Sequence, residues 1–143
     1  MPTEYVEDGH HLLRHVKWAL VRRDENGNVL GLNPQSFMLR DGEDYLSASW
    51  LEYFADAADP VQAAIKNFGE VLRVKPKDRY AKGNVAAIKA ACSEHGQRVR
   101  VTREPRPGFE AHSGVRQFRN DNDELFELLA AQAWAELFVL APT

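Results

Sequence analysis

Few groups in this chain can take up or release a proton near neutral pH. Histidine is the side chain whose ordinary pKa lies nearest neutrality, and there are five: His10, His11, His15, His95 and His112. His112 closes a segment with two prolines and a glycine, EPRPGFEAH, and precedes a short stretch, Ser113–Phe118, that reads as a strand. It can act there as a general base, or hold the loop by bonding a backbone carbonyl. Arg14 and His15 on the first apolar stretch, with Ser47 and Ser49 on a later one, form a set able to converge on a cleft. Arg14 would grip a phosphate or carboxylate bidentately, and the hydroxyls would add weaker donors. Neither serine sits in the G-x-S-x-G elbow that presents a nucleophile. Spacing alone therefore assembles no Ser–His–acid triad.

His11 and His15 are four residues apart. On a helix they would share a face, as a metal pair does. On a strand they would stand about 13 Å apart, too far to share an ion. No H-E-x-x-H pattern and no cysteine pair accompanies them, so no metal and no cofactor is expected.

Charge is unevenly distributed. Residues 1–59 carry 5 basic and 11 acidic side chains, net −6, residues 60–106 carry 11 and 4, net +7, and residues 107–143 carry 2 and 6, net −4. The basic set runs from Lys66 to Arg106. Its densest part, RVKPKDRYAKGN, places Arg73, Lys75, Lys77, Arg79 and Lys82 around Tyr80. Such a run can neutralise phosphates while an aromatic ring stacks on a base, or bind an acidic partner. Arg98, Arg100 and Arg103 in QRVRVTR extend the set, or guard a sheet edge against other strands. The acidic flanks can equally fold back and neutralise the middle.

The elements that must position these groups are legible from local signals. His11–Val21 reads as a strand, and Asn26-Gly27 as a type I′ hairpin turn returning through Val29–Leu32. Asn33-Pro34 breaks the strand. Ser36–Arg40 reads as another strand, Asp41-Gly42 as a turn, Tyr45–Ser49 as a strand and Trp50–Ala57 as a short helix. Asp59-Pro60 opens a helix, with Asp as N-cap and Pro in the first turn, and Lys75-Pro76 closes the segment. A second helix is expected over Tyr80–His95, with Gly96 at its C-cap. QRVRVTR alternates, so Val99 and Val101 face a core. Ser113–Phe118 reads as a short strand. Residues 122–140 (NDELFELLAAQAWAELFVL) contain no Gly or Pro and are apolar almost all round, which predicts a central, covered helix.

Strands, then helices, then a strand and a closing helix argue for an α+β fold: a single domain over 1–143, with a small mostly antiparallel sheet packed on three helices. No apolar run reaches the roughly 20 residues needed to span a bilayer, so no membrane partner is expected. The first residues show no basic, apolar signal pattern. The single cysteine, Cys92, fits a reducing compartment. A cytoplasmic protein is expected.

The first half resembles small ADP-ribosyltransferase-type toxins in one respect. A basic strand residue, Arg14 or His15, is followed by an aromatic-hydroxyl strand, Tyr45-Leu46-Ser47-Ala48-Ser49. The resemblance covers about a third of the chain. It implies a catalytic glutamate later in the chain, and none sits in a distinctive motif. With no sharper motif, the reading is a non-catalytic protein-interaction module of a bacterial multi-protein or toxin/defence-type system, with a protein partner. The alternatives are an enzyme acting on a nucleotide or nucleic acid around Arg14, His15, Ser47, Ser49 and His112, and nucleic-acid binding through the basic 66–106 segment.

Overall fold

A computed structural model describes residues 3–142. Its backbone is a six-stranded sheet in the order β6 (Arg100–Arg103), β7 (His112–Arg116), β4 (Tyr45–Trp50), β1 (His11–Val16), β5 (Arg79–Asn84), β8 (Glu136–Phe138), numbered along the chain. A separate hairpin joins β2 (Val21–Arg23) to β3 (Val29–Leu32). Every described strand pairing is antiparallel. The helices are α1 (Pro60–Val71), α2 (Val85–Glu94) and α3 (Asp123–Leu128). This is the small α+β fold that the order of elements implies.

Alternation along β1 divides the interior into two cores. Leu12 and Val16, with Leu46, Ala48, Ala81, Val101 and Val115 of neighbouring strands, pack under α2, α3 and Trp134. Leu13 and Tyr80 pack on the opposite side under Ala64, Ile65 and Phe68 of α1, with Phe109. Each fully buried large apolar side chain contributes about 1.5–3 kcal/mol. Among the described residues, no helix is long and apolar enough to cross a membrane.

The local signals with fixed chemistry are where they were expected. The Asp59 carboxylate accepts the Gln62 N–H at the start of α1. Gly96 has φ 76° just past α2, and Val99 and Val101 are buried. Cys92 is fully buried, and burial pushes its thiol up to about 12.

Six features differ from expectation. The helix predicted over 122–140 is α3 followed by a π-helical turn, Leu129–Ala133, and the chain then turns into β8. The open edge of β5 captures it through Tyr80↔Phe138, Ala81↔Leu137 and Lys82↔Glu136. Tyr80–His95 likewise splits into β5 and α2. β5 pairs with β1 along its whole length, and Asn84 caps α2 by accepting the Ala87 N–H. Gly83 is essential to this arrangement, because a Cβ there would lie 2.8 Å from the Ala133 carbonyl oxygen and 2.9 Å from the Trp134 ring. The first strand stops at Val16, and Ser36–Arg40 is no strand: Pro34–Phe37 forms a 3-10 turn capped by Asn33. Trp50–Ala57 forms only a 3-10 turn, Leu51–Phe54. The β2–β3 turn is not type I′. Gly27 alone has positive φ, and the Asp24 carboxylate accepts the N–H groups of Asn26 and Asn28 at 2.9 and 2.8 Å.

Candidate functional site

β1 and β4 pair at Leu12↔Trp50 and Leu13↔Ser49 and then part. The carbonyl of Ser47, on the diverging part of β4, accepts instead from the Arg14 guanidinium. Arg14 Nε and Nη2 also donate to the Ser36 carbonyl, at 3.3 and 2.9 Å. Ser36 stands in the turn that Asn33-Pro34 opens, so the strand breaker in the sequence positions the acceptor. By alternation Arg14 belongs with Leu12 and His15 with Leu13, yet both line one cavity because the strands have separated.

That cavity encloses about 490 Å³, a size suited to a small organic ligand. Arg14, Arg40 and Arg106 supply its positive charge and Glu43 its one lining carboxylate, while Phe68, Val71 and Leu72 of α1 and Pro107 and Phe109 form an apolar wall. Arg14 has no carboxylate in ion-pair contact among the described residues. Burial lowers its pKa to about 10, partly offset by the charge of Glu43. An uncompensated guanidinium lining a cavity favours an anionic ligand.

Ser47 and His112 meet in the same cavity, with Ser47 Oγ 2.6 Å from His112 Nε2. The β4–β7 register produces this contact: His112 is directly opposite Ser49, which brings its ring diagonally onto Ser47. On the far side of the ring, Nδ1 lies 2.9 Å from the Glu104 carbonyl oxygen. A carbonyl only accepts, so Nδ1 carries the proton, Nε2 presents its lone pair, and the Ser47 hydroxyl donates to it. Burial holds the His112 pKa below the ordinary histidine value, and the nearby Arg106 charge acts in the same direction. The Glu104 carbonyl opposes them only in part. His112 is thus a neutral, oriented base at pH 7. The ring packs against Phe109 and Tyr45 at centroid distances of 4.8 and 5.7 Å. Tyr45 lies over Gly114, where a Cβ would come within 2.3 Å of the tyrosine ring. Its hydroxyl accepts from Arg106 Nη2 at 3.0 Å.

His15 lines the cavity from β1, with Nε2 2.7 Å from the Asp78 carboxylate. Burial raises the Asp78 pKa, but the Lys75 N–H, His15 and the Trp18 N–H together outweigh it and leave the carboxyl below its ordinary value. Ser49 is fully buried beside Leu13 and His112 and is not among the cavity-lining residues. Of the sequence-derived candidates, Arg14, His15, Ser47 and His112 therefore converge, and Ser49 does not.

The basic candidates do not form one face. Arg73, Lys75, Lys77, Arg79 and Lys82 lie on or before β5, whereas Arg98, Arg100 and Arg103 lie on or before β6, with β7, β4 and β1 between the two strands. Tyr80 is 2 % exposed, packed between His15 and Phe68, so the expectation that it stacks on a base is corrected. Arg103 pairs with Glu4 at 2.9 Å and lies over Trp50, and Arg100 reaches the Tyr5 hydroxyl. His11 bonds Glu52 rather than sharing an ion with His15. Among the described residues no three His, Cys, Asp or Glu side chains gather as a metal site.

The sequence reading missed Arg40, Arg106 and the Glu104 carbonyl. Arg106 had one visible signal, its place in the same Pro-Gly loop as His112. The carbonyl had none, since every residue has one. The glutamate that the ADP-ribosyltransferase resemblance implies, later in the chain than Ser47, does not line this cavity. Glu43 precedes Ser47, and the Glu104 carboxylate is engaged by Arg116. No family model, no curated protein and no solved structure matches this chain.

Proposed function

We propose that this protein is an enzyme acting on a nucleotide or nucleic acid, with the Ser47–His112 pair as its reaction centre and Arg14 as its anion anchor. The observation that carries the reading is the 2.6 Å contact between Ser47 Oγ and an oriented, neutral His112 in a cavity that also holds a guanidinium without a carboxylate partner. Three arginines against one glutamate suit a phosphate group, and the Phe68, Val71, Leu72 and Phe109 wall suits a base or sugar edge.

In this mechanism Ser47 Oγ attacks the phosphorus of a bound phosphate ester as its proton passes to His112 Nε2. The bond from phosphorus to the leaving alkoxide breaks, and the alkoxide departs with the proton from His112. Water, deprotonated by the same nitrogen, then attacks the phosphoserine, and Ser47 leaves as the hydroxyl. Arg14, Arg40 and Arg106 line the cavity and would meet the non-bridging oxygens, where negative charge is greatest.

The test is turnover of bis(4-nitrophenyl) phosphate, mononucleotides and short oligonucleotides by the purified chain, alongside Ser47→Ala and His112→Ala. Both variants are expected to lower turnover by about 10²–10⁴-fold. Absence of turnover by the unmodified protein, or equal rates in the variants, removes the enzyme reading. A stoichiometric protein partner captured from nuclease-treated lysate would then support the interaction module instead.

A further inference from the structure

We infer that the substrate of this cavity is a nucleic-acid strand rather than a free nucleotide, and that a cation cluster built on Trp18 holds the strand outside the cavity. The inference rests on the reading of the cavity given above and identifies its substrate class. Past Arg14, His15 and Arg40 the cavity adjoins a smaller recess that reaches Lys17 and Leu20, on either side of Trp18 in the chain. Asp78 ties the two places together, since its carboxylate contacts His15 at the cavity and accepts the Trp18 N–H at 2.9 Å.

Three cations then gather on one indole ring. The Arg23 guanidinium carbon lies 4.5 Å from the ring centroid, that of Arg79 5.1 Å and the Lys77 ammonium 5.6 Å. They come from separate stretches, β2 and the start of β5, so the fold brings them together. None makes an ion pair among the described residues. The carboxylate between Lys77 and Arg79 in the chain, Asp78, is buried and turned inward to His15 and the backbone, and the one next to Arg23, Asp24, is taken up by Asn26 and Asn28 of its own turn. Three like charges repel one another, and here an aromatic face gathers them without neutralising them. Carboxylates would hold such a cluster as firmly but would cancel its field. A cluster kept positive beside a nucleotide-sized cavity matches the regular spacing of a polynucleotide backbone. A mononucleotide, filling the cavity alone, would leave these charges without a counterpart.

The test uses the full chain carrying Ser47→Ala, so that the probe stays intact, and a fluorescein-labelled ten-nucleotide single strand followed by anisotropy. Arg23→Gln/Lys77→Gln/Arg79→Gln is expected to weaken binding by about tenfold or more at low salt. It should also reduce the salt slope by about 2, at roughly 0.7 per phosphate contact on a single strand. Lys77→Glu alone, at an exposed position outside any strand, should weaken binding in the same direction should the triple variant fold poorly. Arg98→Gln, beside the far β6 edge, should leave binding unchanged. Binding that ignores the triple variant, or falls equally with Arg98→Gln, overturns the inference. So does an affinity no higher than that of a mononucleotide competitor, or saturation of the cluster by an acidic protein instead of the strand. Turnover of bis(4-nitrophenyl) phosphate by the unmodified protein is measured separately. The enzyme reading can therefore stand where the strand inference falls, and loss of turnover is told apart from loss of strand binding.

Discussion

Arg14 and Arg116 carry the same guanidinium on strands of one sheet, in opposite electrostatic surroundings. Arg116, near the β6 edge, is bound by the Glu104 carboxylate and lies over Tyr45, and the Glu104 hydrogen bond raises its pKa. Arg103 on β6 pairs with Glu4 in the same way. Arg14, where the two central strands part, meets only backbone carbonyls, and burial lowers its pKa to about 10. Near the edge, carboxylates neutralise Arg116 and Arg103. At the opening the sheet orients Arg14 and leaves its charge available. A hydrogen-bonded but unpaired guanidinium marks a place prepared for an anion, whereas a paired one serves the fold.

The strongest way to break this contrast is at the reacting pair. Ser47→Ala and His112→Ala should each cost about 10²–10⁴-fold in turnover, while Arg103→Met should leave the rate alone. Equal losses at the edge and the opening would erase the distinction. Arg14→Met comes next. It leaves the Ser36 and Ser47 carbonyls without their donor, a destabilisation of about 2–3 kcal/mol read from urea unfolding. Inorganic phosphate should raise the melting temperature of the unmodified protein and not that of this variant. If phosphate stabilises both proteins equally, Arg14 is not the anchor.

Gly114→Ala sharpens the contrast from within the sheet. The added methyl would meet the Tyr45 ring at 2.3 Å unless the ring moves. The expected cost is about 1–3 kcal/mol of stability, together with reduced turnover as Tyr45 releases Arg106 and His112. A variant that keeps both would show that Tyr45 does not brace the site. The pH dependence is gentler. Because the folded pKa of His112 lies below its unfolded value, the unfolded chain binds that proton more readily. Its contribution to stability is complete above about pH 6.5, the ordinary histidine value. That contribution is lost as pH falls through the depressed folded pKa, and the acid limb of turnover should inflect there as well. His112→Asn should flatten this part of the stability profile. The smallest effect belongs to Arg103→Met, which breaks a partly exposed ion pair with Glu4. It should change stability by no more than about 1 kcal/mol, an effect that salt screens.

Much of the candidate site was legible as residue types and little of it as geometry. Arg14, His15, Ser47 and His112 stand out because few other groups combine such chemistry with an apolar strand context. What made Ser49 equally attractive, a hydroxyl two residues from Ser47, could not reveal that Ser49 is buried against Leu13 and His112 outside the cavity. Tyr80 misled for a related reason. Five basic neighbours suggested a wet surface, but β5 turns its ring toward Phe68 and His15.

By itself the sequence determined the features whose physics is local: the Asp59-Pro60 start of α1, the positive φ at Gly96, a turn at Gly27, and the inward Val99 and Val101. Each depends on the dihedral freedom, hydrogen-bonding reach or polarity of a few adjacent residues. Tertiary structure alone decided that RYAKGN is a strand, because its partners in β1 and β8 lie far along the chain. It also ended the last helix at Trp134 and separated β1 from β4 so that Arg14 could fill the opening. Above all it placed Ser47 against His112 across 65 residues, and Trp18 beneath cations from two distant strands. Hydrogen bonds and charges act over a few ångströms of space, and the order of residues along a chain does not measure that distance.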